Sequence, residues 1–199
     1  MNLADRLTFL RLVLAPIFFI TYILPILLPA QFAGAAIWMI PLLWVIAVTS
    51  EITDMLDGMA ARRLGQSSDF GKLFDPFADT IMQVTGFLCF VIDGILPVIL
   101  FLVVLYREFG ILFLRNLMLR KGVTMGARIS GKVKTVTYIC AGAVALLYTS
   151  LSRLGIFVSF QPAVKIAAVT IFGISVLVSV ISFFDYLSVY RSAGKTADK

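Results

Sequence analysis

Apolar residues along this chain come in long runs, separated by short segments that carry polar residues, prolines and glycines. A helix that crosses the hydrocarbon core of a bilayer needs about 20 mostly apolar residues. Six runs reach that length, at roughly 8–29, 35–57, 74–95, 97–119, 133–151 and 164–188. The pattern predicts an all-α integral membrane protein with six transmembrane helices. Ahead of the first run, Asp5 and Arg6 sit among Leu3 and Leu7, which reads as a short N-terminal interfacial helix. No short apolar run with small-residue cleavage chemistry follows a basic start, so the first run reads as a retained helix. Residues 1–191 are expected to form a single membrane domain. A polar tail, expected to be disordered, covers 192–199.

Composition strengthens this picture. The chain has 199 residues, of which 60% are hydrophobic and 14% charged, with a mean hydropathy of +1.01. Soluble domains are about 45–50% apolar and roughly 25% charged, so this surface can be buried only in lipid. Histidine is absent, which removes histidine ligands and histidine acid–base catalysis. Cys89 and Cys140 lie singly in apolar runs and read as small buried hydrophobes.

The net charge of +6 comes from basic residues scattered at helix ends. That distribution suits a membrane surface or an anionic ligand, not nucleic acid. One set of ends carries Arg6, Arg62, Arg63, Lys72, Arg120, Lys121, Arg128, Lys132, Arg191, Lys195 and Lys199, and the other only Arg153 and Lys165. By the positive-inside rule, both termini and the loops after the second and fourth helices face the cytoplasm, in the cell (inner) membrane.

The chemistry concentrates between residues 53 and 80. Asp54 and Asp57 stand three apart at the cytoplasmic end of the second helix, and so share a face. Asp75 and Asp79 stand four apart at the start of the third. A loop of about a dozen residues lets the two helix ends lie side by side. A single helix-end aspartate is often only a solvated charge. Four on adjoining helices repel one another and are costly to desolvate. A hard divalent cation resolves that conflict, because Mg²⁺ and similar ions take oxygen ligands. Carboxylate-bound ions with little other chemistry suit phosphoryl transfer. Gly58 and Gly71 would permit close approach of a ligand, and Arg62 could meet a phosphate bidentately. A cation transporter would also use aspartates, but such sites usually lie near the bilayer midplane on interrupted helices.

Asp54-x-x-Asp57-Gly58-x-x-Ala61-Arg62, eight residues, then Gly71-x-x-x-Asp75-x-x-x-Asp79 resembles the full signature of the CDP-alcohol phosphotransferase family. The resemblance extends to the six-span layout, and so over most of the chain. It implies transfer of the lipid phosphate of CDP-diacylglycerol to an alcohol, with release of CMP. It further implies two bound ions, Mg²⁺ or Mn²⁺, held by Asp54, Asp57, Asp75 and Asp79, with Asp79 as the base. Asp57, Gly58, Ala61, Arg62, Gly71 and Thr8 would bind the cytidine diphosphate. A homodimer is implied as well.

Three features bear on the acceptor. Arg107, Glu108 and Arg115 interrupt the fourth run, Gly131-Lys132-Val133-Lys134-Thr135 opens the fifth, and Arg11 stands just inside the first. Cations near the carboxylates suit an acceptor that carries its own phosphate. The Arg–Glu pair with a following Leu–Arg, and the Gly-Lys-x-Lys-Thr stretch, resemble the phosphatidylglycerophosphate-forming branch of the family. That resemblance implies sn-glycerol 3-phosphate, with Arg115 and Lys134 gripping its phosphate and Arg107 behind them. Other readings stay open here. Lys132 and Lys134 could snorkel to headgroups, and Arg107 and Glu108 could pair structurally. Thr80 stands where that branch commonly has lysine, and Ala4-Asp5-Arg6 replaces the usual Pro-Asn lead, so an inositol phosphate or an amino alcohol remains an alternative acceptor.

Overall fold

The computed structural model describes the backbone of residues 3–27, 33–64, 69–120 and 129–197, and the side chains of these except 3–5, 33, 35, 36, 57–64, 69, 70, 72 and 193–197. Helices α1 (Leu3–Leu27), α2 (Ala33–Leu64), α3 (Asp69–Ile92), α4 (Val98–Arg120), α5 (Ile129–Leu154) and α6 (Gln161–Ala197) follow one another, with a single 3₁₀ turn at Val158–Phe160. Each covers one of the six apolar runs. Without water to satisfy exposed peptide groups, an apolar run in lipid must bond its backbone internally, and the helix does this within a single segment.

Among the described residues five helices are long and apolar enough to cross a membrane, within the limits Arg6–Leu27, Ile37–Leu56, Leu73–Ile92, Ile129–Leu154 and Val158–Ser192. The exception is α4, which is long enough but carries Arg107, Glu108 and Arg115 along its length. Large apolar side chains such as Trp38, Ile99, Ile166, Leu177 and Phe184 are exposed on the outside, far more than a soluble surface tolerates. The chain is an integral membrane protein.

Three expectations change. Residues 3–7 are the first turns of α1 and not a separate helix. The chain stays helical to Ala197, so the start of the polar tail continues α6 instead of being disordered. Helix α2 runs on to Leu64 and α3 begins at Asp69, both inside the stretch expected to form a loop of about a dozen residues. In each case a helix runs on past the apolar stretch, because backbone bonding does not stop where hydropathy does. Cys140, expected to be buried, is exposed on α5, while Cys89 is buried.

Helix α1 packs on α2 and α3, α5 on α6, and α4 on α6 and α3. Phe18, Leu43, Phe87, Phe90, Val104, Ala141 and Phe172 belong to one continuous core. Helices α3 and α5 end alike. Gly94 (φ 67°) and Gly155 (φ 65°) take the left-handed conformation, and the next residues, Ile95 and Ile156, donate back to Phe90 O and Leu151 O at 2.9 and 3.2 Å. This is the glycine-terminated helix end that L residues with a Cβ resist.

A polar clasp ties these ends to α1. The Tyr22 hydroxyl donates to Asp93 Oδ2 at 2.8 Å and lies 2.9 Å from Thr149 Oγ1. The Arg153 guanidinium caps the ring at 4.3 Å and donates to the Tyr22 carbonyl at 3.0 Å.

Candidate active site

The other end of the bundle carries the aspartates. Thr8 and Arg11 stand one turn apart on α1, Asp54 lies on α2, and Asp75 and Asp79 lie one turn apart on α3. Arg11 is 1% exposed. Its Nη1 donates to Asp54 Oδ1 at 2.6 Å and is also paired with Asp79 Oδ1. The Thr8 hydroxyl donates to Asp75 Oδ1. Both carboxylates that meet Arg11 are partly exposed, so the cation lies beneath them and they face open space. A guanidinium this deep among apolar helices needs a carboxylate partner, and here two other helices each supply one.

Of the expected metal residues, Asp54 and Asp79 are brought together through Arg11, with Asp75 beside them through Thr8. Asp57 follows one turn after Asp54 on α2, but its side chain lies outside the described residues, as do those of Gly58, Ala61 and Arg62. Gly71 is half-buried on α3. Among the described residues no group of three acidic, cysteine or histidine side chains encloses a single point. The donor set still fits a hard divalent cation. It is all oxygen, and Asp54 and Asp79 reach one positively charged atom from two helices.

A cavity of about 240 Å³ opens beside these aspartates. Its lining includes Asp54, Asp79, Arg11 and Glu51 from α1, α2 and α3, and Arg107, Glu108, Arg115, Lys132 and Lys134 from α4 and α5. The expected acceptor cations therefore share the carboxylates' cavity, although they come from different helices. Their surroundings differ. Arg107 spends its donors on protein, with Nη1 to Glu108 Oε1 at 2.8 Å, Nε to the Ser179 carbonyl at 3.0 Å and Nη2 to Ser182 Oγ at 3.1 Å. Lys134 Nζ donates to Glu108 Oε1 at 3.0 Å and Gln83 Oε1 at 3.3 Å. Arg115 lies 5.7 Å from the Tyr186 ring centre, and its Nε has no hydrogen-bond partner among the described residues. A side chain at Gly131 would come within 3.1 Å of the Tyr186 hydroxyl, so glycine there lets α5 and α6 close around this cavity.

A family model described as CDP-alcohol phosphatidyltransferase matches residues 1–181. The chain belongs to the CDP-alcohol phosphatidyltransferase family. It is an enzyme of that family. A Treponema pallidum (strain Nichols) protein named CDP-diacylglycerol--glycerol-3-phosphate 3-phosphatidyltransferase is 37% identical over 206 residues, covering 98% of this chain and 94% of the relative. Proteins of the same name from Bacillus subtilis (strain 168) and Escherichia coli (strain K12) are 31% and 30% identical. Each alignment covers at least 96% of both chains.

Sequence reasoning counted Arg11 among the cations bearing on the acceptor, whereas the structure pairs it with Asp54 and Asp79, and it gave Gln83 no role. Arg11 had a usable signal, since a charge one turn inside an apolar helix must meet a partner. Gln83 had none, because a lone glutamine in an apolar run does not declare which helix it faces.

Proposed function

We propose that this enzyme transfers the phosphatidyl group of CDP-diacylglycerol to sn-glycerol 3-phosphate, releasing CMP and forming phosphatidylglycerophosphate. The observation that carries this reading is the single cavity lined both by carboxylates of α2 and α3 and by cations of α4 and α5. An acceptor with its own phosphate has a charged anchor among the cations while its hydroxyl reaches the carboxylates. The name shared by the relatives supports the same acceptor.

In this reading Asp79 accepts the proton of the acceptor's hydroxyl as that oxygen bonds to the phosphatidyl phosphorus, and the bond from phosphorus to CMP breaks. Asp54, Asp57, Asp75 and Asp79 would hold two ions, Mg²⁺ or Mn²⁺. Bound there, the ions neutralise phosphate charge and align the attacking and leaving oxygens. Thr8, Asp57, Gly58, Ala61, Arg62 and Gly71 bind the cytidine diphosphate. Arg115 and Lys134 grip the acceptor's phosphate, with Arg107 behind them. Residues 1–191 act as one domain, α4 completes a six-span bundle, two copies form a homodimer, and the active site faces the cytoplasm of the inner membrane.

The test supplies purified protein in lipid with CDP-diacylglycerol, Mg²⁺ or Mn²⁺, and a panel of acceptors, following CMP release. Release with glycerol 3-phosphate is expected, together with its loss on chelation and recovery on adding either metal. CMP formed only with inositol phosphate or an amino alcohol would transfer the reading to that acceptor. No CMP with any acceptor would overturn the reading.

A further inference from the structure

Behind Lys134, outside the lining of the carboxylate cavity, lies a polar group that the site does not use. Tyr138 on α5 is 2% exposed, and its hydroxyl has no hydrogen-bond partner among the described residues. Buried donors are nearly always paired, so an orphan calls for a physical reason. Lys134, one turn earlier on α5, holds its Nζ 4.5 Å from the centre of the Tyr138 ring. The hydroxyl lies beside Glu108 and beside Ser179 Oγ, which also lacks a well-formed bond among the described residues, so it sits next to Glu108 without a well-formed hydrogen bond to it.

Glu108 is the other half of the problem. Its Oε1 accepts from both Arg107 Nη1 and Lys134 Nζ. Arg107 is anchored twice more, on α6. Lys134 has only the amide oxygen of Gln83 besides, at a longer 3.3 Å. Of the two cations on this carboxylate, Lys134 is the one whose departure breaks fewest bonds. Its departure would nonetheless strip a buried carboxylate of a charged donor, which is costly unless another donor replaces it.

We infer that Glu108, Lys134 and Tyr138 form an exchange device that reads the acceptor's phosphate. In the structure Lys134 rests on Glu108. When an acceptor phosphate enters, the ammonium turns to it, and the Tyr138 hydroxyl donates to Glu108 in its place. The inference rests on the proposed role of Lys134. It makes Glu108 and Tyr138 positioning residues, which act through Lys134 without touching substrate. It also gives a reason for selectivity, because an alcohol without a phosphate lacks the charge needed to draw Lys134 from Glu108.

Tyr138→Phe keeps the ring and removes only the orphan hydroxyl. In the purified protein in lipid, its thermal midpoint without acceptor should equal or exceed that of the unsubstituted enzyme. Its KM for glycerol 3-phosphate should rise about tenfold, with kcat and the KM for CDP-diacylglycerol unchanged. Lys134→Ala should raise the same KM, and adding Tyr138→Phe to it should change nothing further. A lowered midpoint, an unchanged KM in Tyr138→Phe, or a further rise on top of Lys134→Ala would overturn the exchange. The underlying reading fails separately, if glycerol 3-phosphate gives no saturable turnover or if Lys134→Ala behaves as the unsubstituted enzyme.

Discussion

Arg11 illustrates how much a single side chain in this bundle depends on its neighbours. It is fully enclosed, yet its charge is met by aspartates contributed by α2 and α3, so a carboxylate exchanged for an amide alters the site without emptying it. On that ground Asp79→Asn should keep the thermal midpoint close to that of the unsubstituted protein while turnover falls at least about a hundredfold, as expected for loss of a general base. A variant retaining substantial turnover would remove Asp79 from that role. The cations separate in the same way. Arg115 has a nitrogen without a partner among the described residues, whereas Arg107 is bonded on three sides by protein. Arg115→Ala should therefore act mainly on acceptor KM, raising it about tenfold. Arg107→Ala should act mainly on stability, by about 3 kcal/mol, because it leaves Glu108 short of a buried partner. Thermal unfolding measured alongside kinetics distinguishes the two. The aspartates were legible in the sequence because their spacing repeats the helical period. The split between Arg107 and Arg115 was not, since it depends on serines some 70 residues away on α6.

Among the elements, α4 is the one whose composition resists its place in the bundle. Its three charges keep it from qualifying as an apolar span by composition, and two of them are met by each other and by contacts with α5 and α6. Helix ends far from the site have a separate, structural task. Tyr22 lies 14 residues after Thr8 on α1, about 21 Å along the helix, and joins α1 to the ends of α3 and α5 through Asp93 and Thr149. Tyr22→Phe should cost about 1–3 kcal/mol in unfolding free energy, by leaving Asp93 and the buried Thr149 short of a hydrogen bond. It should leave kcat and both KM values unchanged. A loss of turnover per folded molecule would show that the clasp communicates with the carboxylates.

At the scale of the whole molecule, the basic residues crowd one set of helix ends, and the carboxylate cavity opens at that same end. If the positive-inside rule orients the chain, then in a cysteine-free background a membrane-impermeant thiol reagent added outside intact cells should label Ser159→Cys. It should label Ser192→Cys only after the membrane is broken. The reverse pattern would invert the proposed topology. Apolar runs, the charge bias of their ends and the eight-position aspartate signature are properties of the chain as written. They determined that it is a helical membrane protein, where its helices lie and which family it belongs to, because each depends on spacing along a single segment. Only the tertiary structure decided that Arg11 sits beneath the aspartates, that the cations of α4 and α5 share their cavity, and that Glu108 holds two of those cations while the Tyr138 hydroxyl has no partner among the described residues. Those are meetings between helices, set by which face each turns inward, and a nearly uniform apolar run carries no mark of that choice.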